Sequence, residues 1–306
     1  MPDNHQQQQP VEPIQRPVAQ GRVIAPGGLP QNGTDRSALF QVETPRRRLA
    51  DLVLPDHTLN QLRGMLTKIR HHEVLYQDWG LAEIDPHGGR TAINLYGPPG
   101  TGKSFAAEAI ADELGKGIIR VNYAEIESKY VGETPKNITA AFQKAQKDDA
   151  LLFFDEADSI LGRRLTNVSQ SSDHAVNVSR SVMLLALDRY PIVTIFATNL
   201  ASNYDAAFVR RILGHIEMPL PNAAGRARLW RGHIPDRLPV RLSDADWARL
   251  VSDTEGLAGG DILNCVVFAA SRALDRDGTS AVITIEDFLA AIAASKRARQ
   301  EIANPH

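Results

Sequence analysis

Gly97-Pro98-Pro99-Gly100-Thr101-Gly102-Lys103-Ser104 follows directly on the apolar run Ala92-Ile93-Asn94-Leu95-Tyr96. The run has the length and character of a buried strand, and the octad reads as a glycine-rich loop that opens a helix near Lys103. Glycines let such a loop bend until successive backbone N–H groups face inward, and the helix adds its own free N–H groups and positive dipole end. The pattern therefore predicts a cradle for the polyphosphate of ATP or GTP, built from Pro98, Pro99, Gly100, Thr101, Gly102, Lys103 and Ser104. Lys103 is expected to bridge the β and γ phosphates, and Ser104 to place its hydroxyl on Mg²⁺.

Working outward, Ala150-Leu151-Leu152-Phe153-Phe154 is a second apolar strand, and it runs into Asp155-Glu156. In a parallel sheet the carboxyl ends of the strands face the ligand crevice, so these acids meet the phosphate loop. Asp155 is expected to hold Mg²⁺, largely through water, and Glu156 to polarise an attacking water. A third strand, Ile192 to Ala197, ends in Thr198-Asn199. A neutral amide there can hydrogen-bond a γ phosphate or the lytic water without burying another charge. Arg210-Arg211 follow, and phosphoryl transfer needs positive charge near the departing phosphate, commonly supplied by an arginine in trans.

Length and composition agree with this organisation. The chain has 306 residues, 43% of them hydrophobic, enough for one substantial α/β domain and a smaller one. Residues 1–46 hold seven of the eighteen prolines and the run Gln6-Gln7-Gln8-Gln9, and are expected to be a disordered tail. Residues 47–219 alternate strand and helix signals, as in a parallel sheet with helices on both faces, with strands at 92–96, 118–122, 150–154, 192–197 and 214–218. Thr134 reads as an N-cap with Pro135 at the first helical position, and Val176 to Leu187 as an apolar helix. Residues 220–306 are expected to form a small helical domain, with helices at 222–233, 243–253, 259–276 and 285–303, the last capped by Thr284 with Asp287 three residues on.

No apolar run approaches the ~20 residues that span a bilayer, and the first residues lack the basic-then-apolar order of a signal peptide. Cys265 is the lone cysteine and lies in an apolar stretch, which suits a reducing cytoplasm and a buried thiol. A net charge of −2 supplies no general field for nucleic acid.

The ordered set Gly97 to Ser104, Asp155-Glu156, Asn199, Arg210-Arg211 and a helical C-terminal part resembles the AAA+ ATPases, in particular their AAA clade. The resemblance covers roughly residues 50 to 300. It implies a P-loop NTPase sheet followed by a helical lid, ATP and Mg²⁺ as ligands, and a homo-hexameric ring in which Arg210 and Arg211 reach the neighbouring copy's nucleotide. Gly256-Leu257-Ala258-Gly259-Gly260-Asp261-Ile262 is similar to the family's lid motif, with Gly260 where alanine is more usual and no arginine in the stretch. Val53, in Asp51-Leu52-Val53-Leu54, falls where the family packs the adenine. Lys129, Tyr130, Val131 and Gly132 are similar to the aromatic-aliphatic-glycine loop with which family members that thread polypeptide grip a protein client in the ring's pore.

The stretch from Ser172-Asp173 to Asp188 resembles the pachytene-checkpoint type, which implies a HORMA-domain client and, in a compact bacterial form, a part in antiviral signalling. Two other readings remain open at this level: a nucleic-acid motor or loader, and a nucleotide-gated scaffold whose hydrolysis is only a timer.

Overall fold

The computed structural model describes residues 36–85, 89–122, 133–162, 171–199 and 204–303. Five strands, β1 (Ala92–Tyr96), β2 (Ile118–Asn122), β3 (Leu151–Asp155), β4 (Thr194–Thr198) and β5 (Ile212–Glu217), form one parallel sheet in the order β2-β3-β4-β1-β5. The α-helices among the described residues are α1 (Asp56–Arg70), α2 (Lys103–Glu113), α3 (Glu133–Lys147), α4 (Asp158–Leu161), α5 (Ser171–Arg189), α6 (Ala206–Val209), α7 (Ala223–His233), α8 (Asp244–Asp253), α9 (Gly259–Asp277) and α10 (Ile285–Ala303).

Strand alternation sorts the core into two layers, one on each face of the sheet. Ile93, Leu95, Leu151, Phe153 and Ile195 pack with Leu62 and Leu66 of α1 and with the alanine-rich face of α2. The alanines at 106, 107 and 111 let α2 approach the sheet closely enough to hang the glycine-rich loop over the end of β1. On the other face, Leu152, Phe154 and Phe196 pack with α3, α5 and Phe208 of α6. A separate core holds α7 to α10 together, with Trp230 edge-on to Phe288 at 5.5 Å. Cys265 is buried there, and burial pushes its thiol up to about 11, so it is a packing residue and not a reactive thiolate.

Local details differ from the sequence reading in instructive ways. β3, β4 and β5 are shifted by one or two residues, so Asp155 is the last residue of its strand and not the first beyond it. Thr134 is not an N-cap: α3 already includes Glu133, and Pro135 sits inside the first turn, where no intrahelical N–H is required of it. α5 starts at Ser171 and not near Val176. Residues 36–46, expected to belong to the tail, are anchored. Phe40 is buried in the core, Glu43 exchanges backbone hydrogen bonds with Ile118 at the sheet edge (2.8 and 2.9 Å), and Arg36 forks onto Glu133 and Asn137. At the other end, Thr284 N donates to Asp287 Oδ2 at 3.1 Å, which ties the expected cap residue to the first turn of α10.

Candidate functional site

The register of β1 and β4 pairs Tyr96 with Thr198, so both strands end together. Gly97 N then donates to Thr198 O at 3.2 Å, and the first loop residue lies beside Asn199. Gly97 has φ 146°, and a Cβ there would stand 2.3 Å from Met218 O; only glycine lets the loop pass the end of β5. Gly102, at φ 96°, is the N-cap of α2 and provides no capping side chain. The first N–H groups of α2 are therefore left without an intrahelical or side-chain acceptor, and its first turn holds no acidic residue that would repel an anion.

Lys103 is 8% exposed, and its three donor positions are matched by three acceptors: Gly97 O at 2.8 Å, Pro98 O at 2.9 Å and Asn199 Oδ1 at 2.8 Å. Burial pushes its ammonium below the usual lysine range, while the carboxylates of Asp155 and Asp158 pull it back. Thr101 Oγ1 closes the loop on Pro98 O at 2.9 Å. Ser104 Oγ donates to Asp155 Oδ2 at 3.1 Å, which juxtaposes two hard oxygen donors beside the cradle, the ligand chemistry that Mg²⁺ takes. Glu156 is exposed and has φ 52°, a left-handed conformation costly for a residue with this side chain. Its N–H donates to Asp155 Oδ1 at 3.0 Å, so the turn that carries Glu156 also orients Asp155.

Asp158 escaped the sequence reading. Its Oδ1 accepts from Asn199 N at 2.9 Å and from the Thr198 hydroxyl, and so fixes the end of β4. The available signal was weak: an acid in the first turn of a helix, three residues beyond Asp155, looks like an ordinary complement to the helix dipole.

The lid contributes backbone to the same place. Gly260 N donates to Gly100 O at 3.0 Å, and a Cβ on Gly260 would meet Gly100 Cα at 3.4 Å, an ordinary contact. No arginine stands in the lid motif, but Arg299 of α10 reaches it, donating to Asp261 Oδ2 at 2.5 Å and to Gly256 O at 2.7 Å. Val53 lines a cavity of about 250 Å³ with Pro55, Pro219, Pro221, Asn222 and Arg228, between the N-terminal segment and α7.

Arg210 and Arg211 are not brought to this chain's own cradle contacts. Arg210 is exposed and makes no ion pair among the described residues, whereas Arg211 is paired with Asp188 at the end of α5. Lys129, Tyr130, Val131 and Gly132 lie outside the described residues.

Residues 93–220 match the family described as ATPase family associated with various cellular activities (AAA). The chain carries an AAA ATPase domain. It is similar to the proteasome-activating nucleotidase of Methanopyrus kandleri, 31% identical over 275 residues that make up 86% of this chain and 60% of the relative. It is also similar to the vacuolar protein sorting-associated protein 4 of Dictyostelium discoideum, 33% identical over 56% of this chain and 38% of the relative. The chain thus spans less than two thirds of the length of either relative. The fold matches a crystal structure of the FIGL-1 AAA domain in complex with ADP, with a TM-score of 0.70 at 19% identity, covering 87% of this chain and 92% of that one. At that identity the likeness is one of fold. Among the described residues no helix of the AAA chain is long and apolar enough to cross a membrane.

Proposed function

We propose that this AAA chain hydrolyses ATP with Mg²⁺ and uses the cycle to remodel or unfold a protein client, as a homo-hexameric ring. The observation that carries the reading is the convergence of Lys103, Asn199 and the Ser104–Asp155 pair on the uncapped start of α2. In this reading Gly100 to Lys103 bind the phosphates through backbone N–H groups and the lysine ammonium, Pro98 and Pro99 shape the loop without an N–H of their own, and Ser104 and Asp155 are the metal's protein ligands. A bound Mg²⁺ would neutralise charge building on the phosphate oxygens.

Glu156 takes the role of base toward the attacking water, and Asn199 holds that water or the terminal phosphate while Asp158 fixes its backbone. Arg210 is offered to the nucleotide of the next copy. The cavity beside Val53 takes the adenine, and Gly260 carries closure of the lid onto the loop.

A protein client is supported by the company of relatives named proteasome-activating nucleotidase and vacuolar protein sorting-associated protein 4. Lys129 to Gly132 are the proposed grip on that client. A HORMA-domain client and an antiviral role rest on the resemblance of the stretch 172–188 alone.

Phosphate release by the purified protein, with ATP against GTP and with Mg²⁺ against chelator, tests the first half. Loss of unfolding of a fluorescent client by Tyr130→Ala at unchanged ATP turnover tests the second. A protein inert toward ATP, or one that remodels its client equally well without Tyr130, contradicts the corresponding half.

A further inference from the structure

Tyr204 opens the turn that carries Arg210 and Arg211, yet its side chain faces inward to the sheet. It forms an isolated antiparallel bridge with Gly162, and Asp205 N donates to Leu161 O at 3.0 Å, so this segment is stitched to the end of α4. Its ring lies 5.4 Å from that of His215 on β5. Its hydroxyl is hydrogen-bonded to the side chains of Asn94 and Thr198.

Asn94 is 0% exposed in β1, an interior strand of the sheet, a position where an apolar residue would ordinarily serve. A buried amide is costly unless it is bonded: Asn94 Nδ2 meets His215 Nδ1 at 3.1 Å and the side chain also bonds the Tyr204 hydroxyl, while Asn94 Oδ1 is buried without a partner among the described residues. The direction of the remaining protons follows from the donor inventory. The Asp158 carboxylate can only accept, so the single Thr198 hydroxyl proton goes to Asp158 Oδ1. The Thr198 oxygen is then left to accept from Tyr204, and the Tyr204 oxygen to accept from the Asn94 amide. Burial raises the Tyr204 phenol above its ordinary range, which keeps it protonated and able to donate. The result is a one-way chain from Asn94 through Tyr204 and Thr198 to Asp158, which also accepts the Asn199 N–H at 2.9 Å. In such chains each bond polarises the next.

We propose that Tyr204 is a positioning residue for ATP turnover, its hydroxyl holding the Thr198–Asn199 strand end in register with the turn that presents Arg210. The proposal rests on the ATP-hydrolysing reading above. It links the cradle of one copy to the arginine which that copy offers to the next.

The test is a double-mutant cycle on kcat for ATP, with nucleotide affinity measured separately by a fluorescent ATP analogue. Tyr204→Phe keeps the ring on His215 and removes only the hydroxyl. It is expected to lower kcat by about tenfold, with affinity within about twofold of the parent. Thr198→Val should do the same, Thr198→Ser should retain most of the rate, and the Tyr204→Phe, Thr198→Val double variant should be no slower than the slower single variant. If Tyr204→Phe turns over like the parent, if the two losses multiply, or if affinity falls in step with kcat, the positioning role is wrong while the ATPase reading stands. If the parent itself hydrolyses no ATP, the ATPase reading fails and this role falls with it.

Discussion

Arg211 is forked onto Asp188, with Nε and Nη2 donating to its carboxylate at 2.8 to 2.9 Å, whereas Arg210, one residue earlier, is exposed with its backbone carbonyl tied by Arg90 at 3.0 Å. Two arginines that look interchangeable in sequence thus have different surroundings. Arg211 ties the turn to the end of α5, whereas the Arg210 side chain is exposed, makes no ion pair among the described residues and donates from Nε to Ala206 O at 3.3 Å. A planar fork on a carboxylate is worth more than a simple charge contact, and lysine does not reproduce it.

Arg210→Ala is therefore expected to lower kcat by at least about 100-fold with ATP affinity nearly unchanged, since an arginine supplied in trans typically contributes 10³–10⁵ in rate. Asp188→Ala and Arg211→Ala should resemble each other, with a smaller loss of rate, because each loosens the same tether. Single-turnover and binding measurements on the three variants check the ranking.

Glu156→Gln keeps the shape of the side chain and the bond from residue 156 N to Asp155 Oδ1. It should abolish steady-state turnover while the protein still binds ATP and stays assembled, as read by size-exclusion chromatography with ATP present. A variant that hydrolyses normally would assign the base elsewhere.

Much of this was legible in the sequence because it is local. The phosphate loop, the strand-end acids and Asn199 each announce themselves within a few residues, and a parallel sheet gathers strand ends on one edge. What was illegible depends on partners far along the chain. Asp158 matters through Thr198 and Asn199, Tyr204 through Asn94, and Arg211 through Asp188; no periodicity encodes these pairs. Residues 36–46 read as tail because they hold few apolar side chains, but Phe40, the Glu43 bridge and the Arg36 fork suffice to anchor them.

The glycines of the site divide into obligatory and tolerant. Gly97→Ala would drive Cβ to 2.3 Å from Met218 O at a positive φ, and should leave the protein poorly folded or unable to bind nucleotide. Gly260→Ala meets only ordinary contact at 3.4 Å, and should retain at least half the parental turnover. Thermal melts and nucleotide titration of the pair separate the two cases.

Acid stability of the helical C-terminal part should depend on Asp287, which is buried and accepts from Thr284 N at 3.1 Å and Arg276 Nη1 at 2.6 Å. Burial alone would raise this carboxyl, but its bonds to Arg276 and Thr284 outweigh burial and hold it below the ordinary 3.8. A depressed folded-state value contributes stability that is fully present above the unfolded value and is lost as pH falls through the folded one. Asp287→Asn should thus melt lower than the parent at neutral pH, and the gap should narrow only below about pH 4. A gap that stays constant to pH 2 in denaturant titrations would contradict this role.

Catalysis at a seam between two copies predicts that two inactive variants complement each other on mixing. Lys103→Ala removes the phosphate-binding ammonium but leaves the arginine turn intact, and Arg210→Ala does the reverse. Each alone should release almost no phosphate, and the co-assembled mixture should recover part of the parental rate, at seams where an intact loop faces an intact arginine. A mixture as inert as its components, despite confirmed co-assembly, would show that Arg210 does not act across a seam.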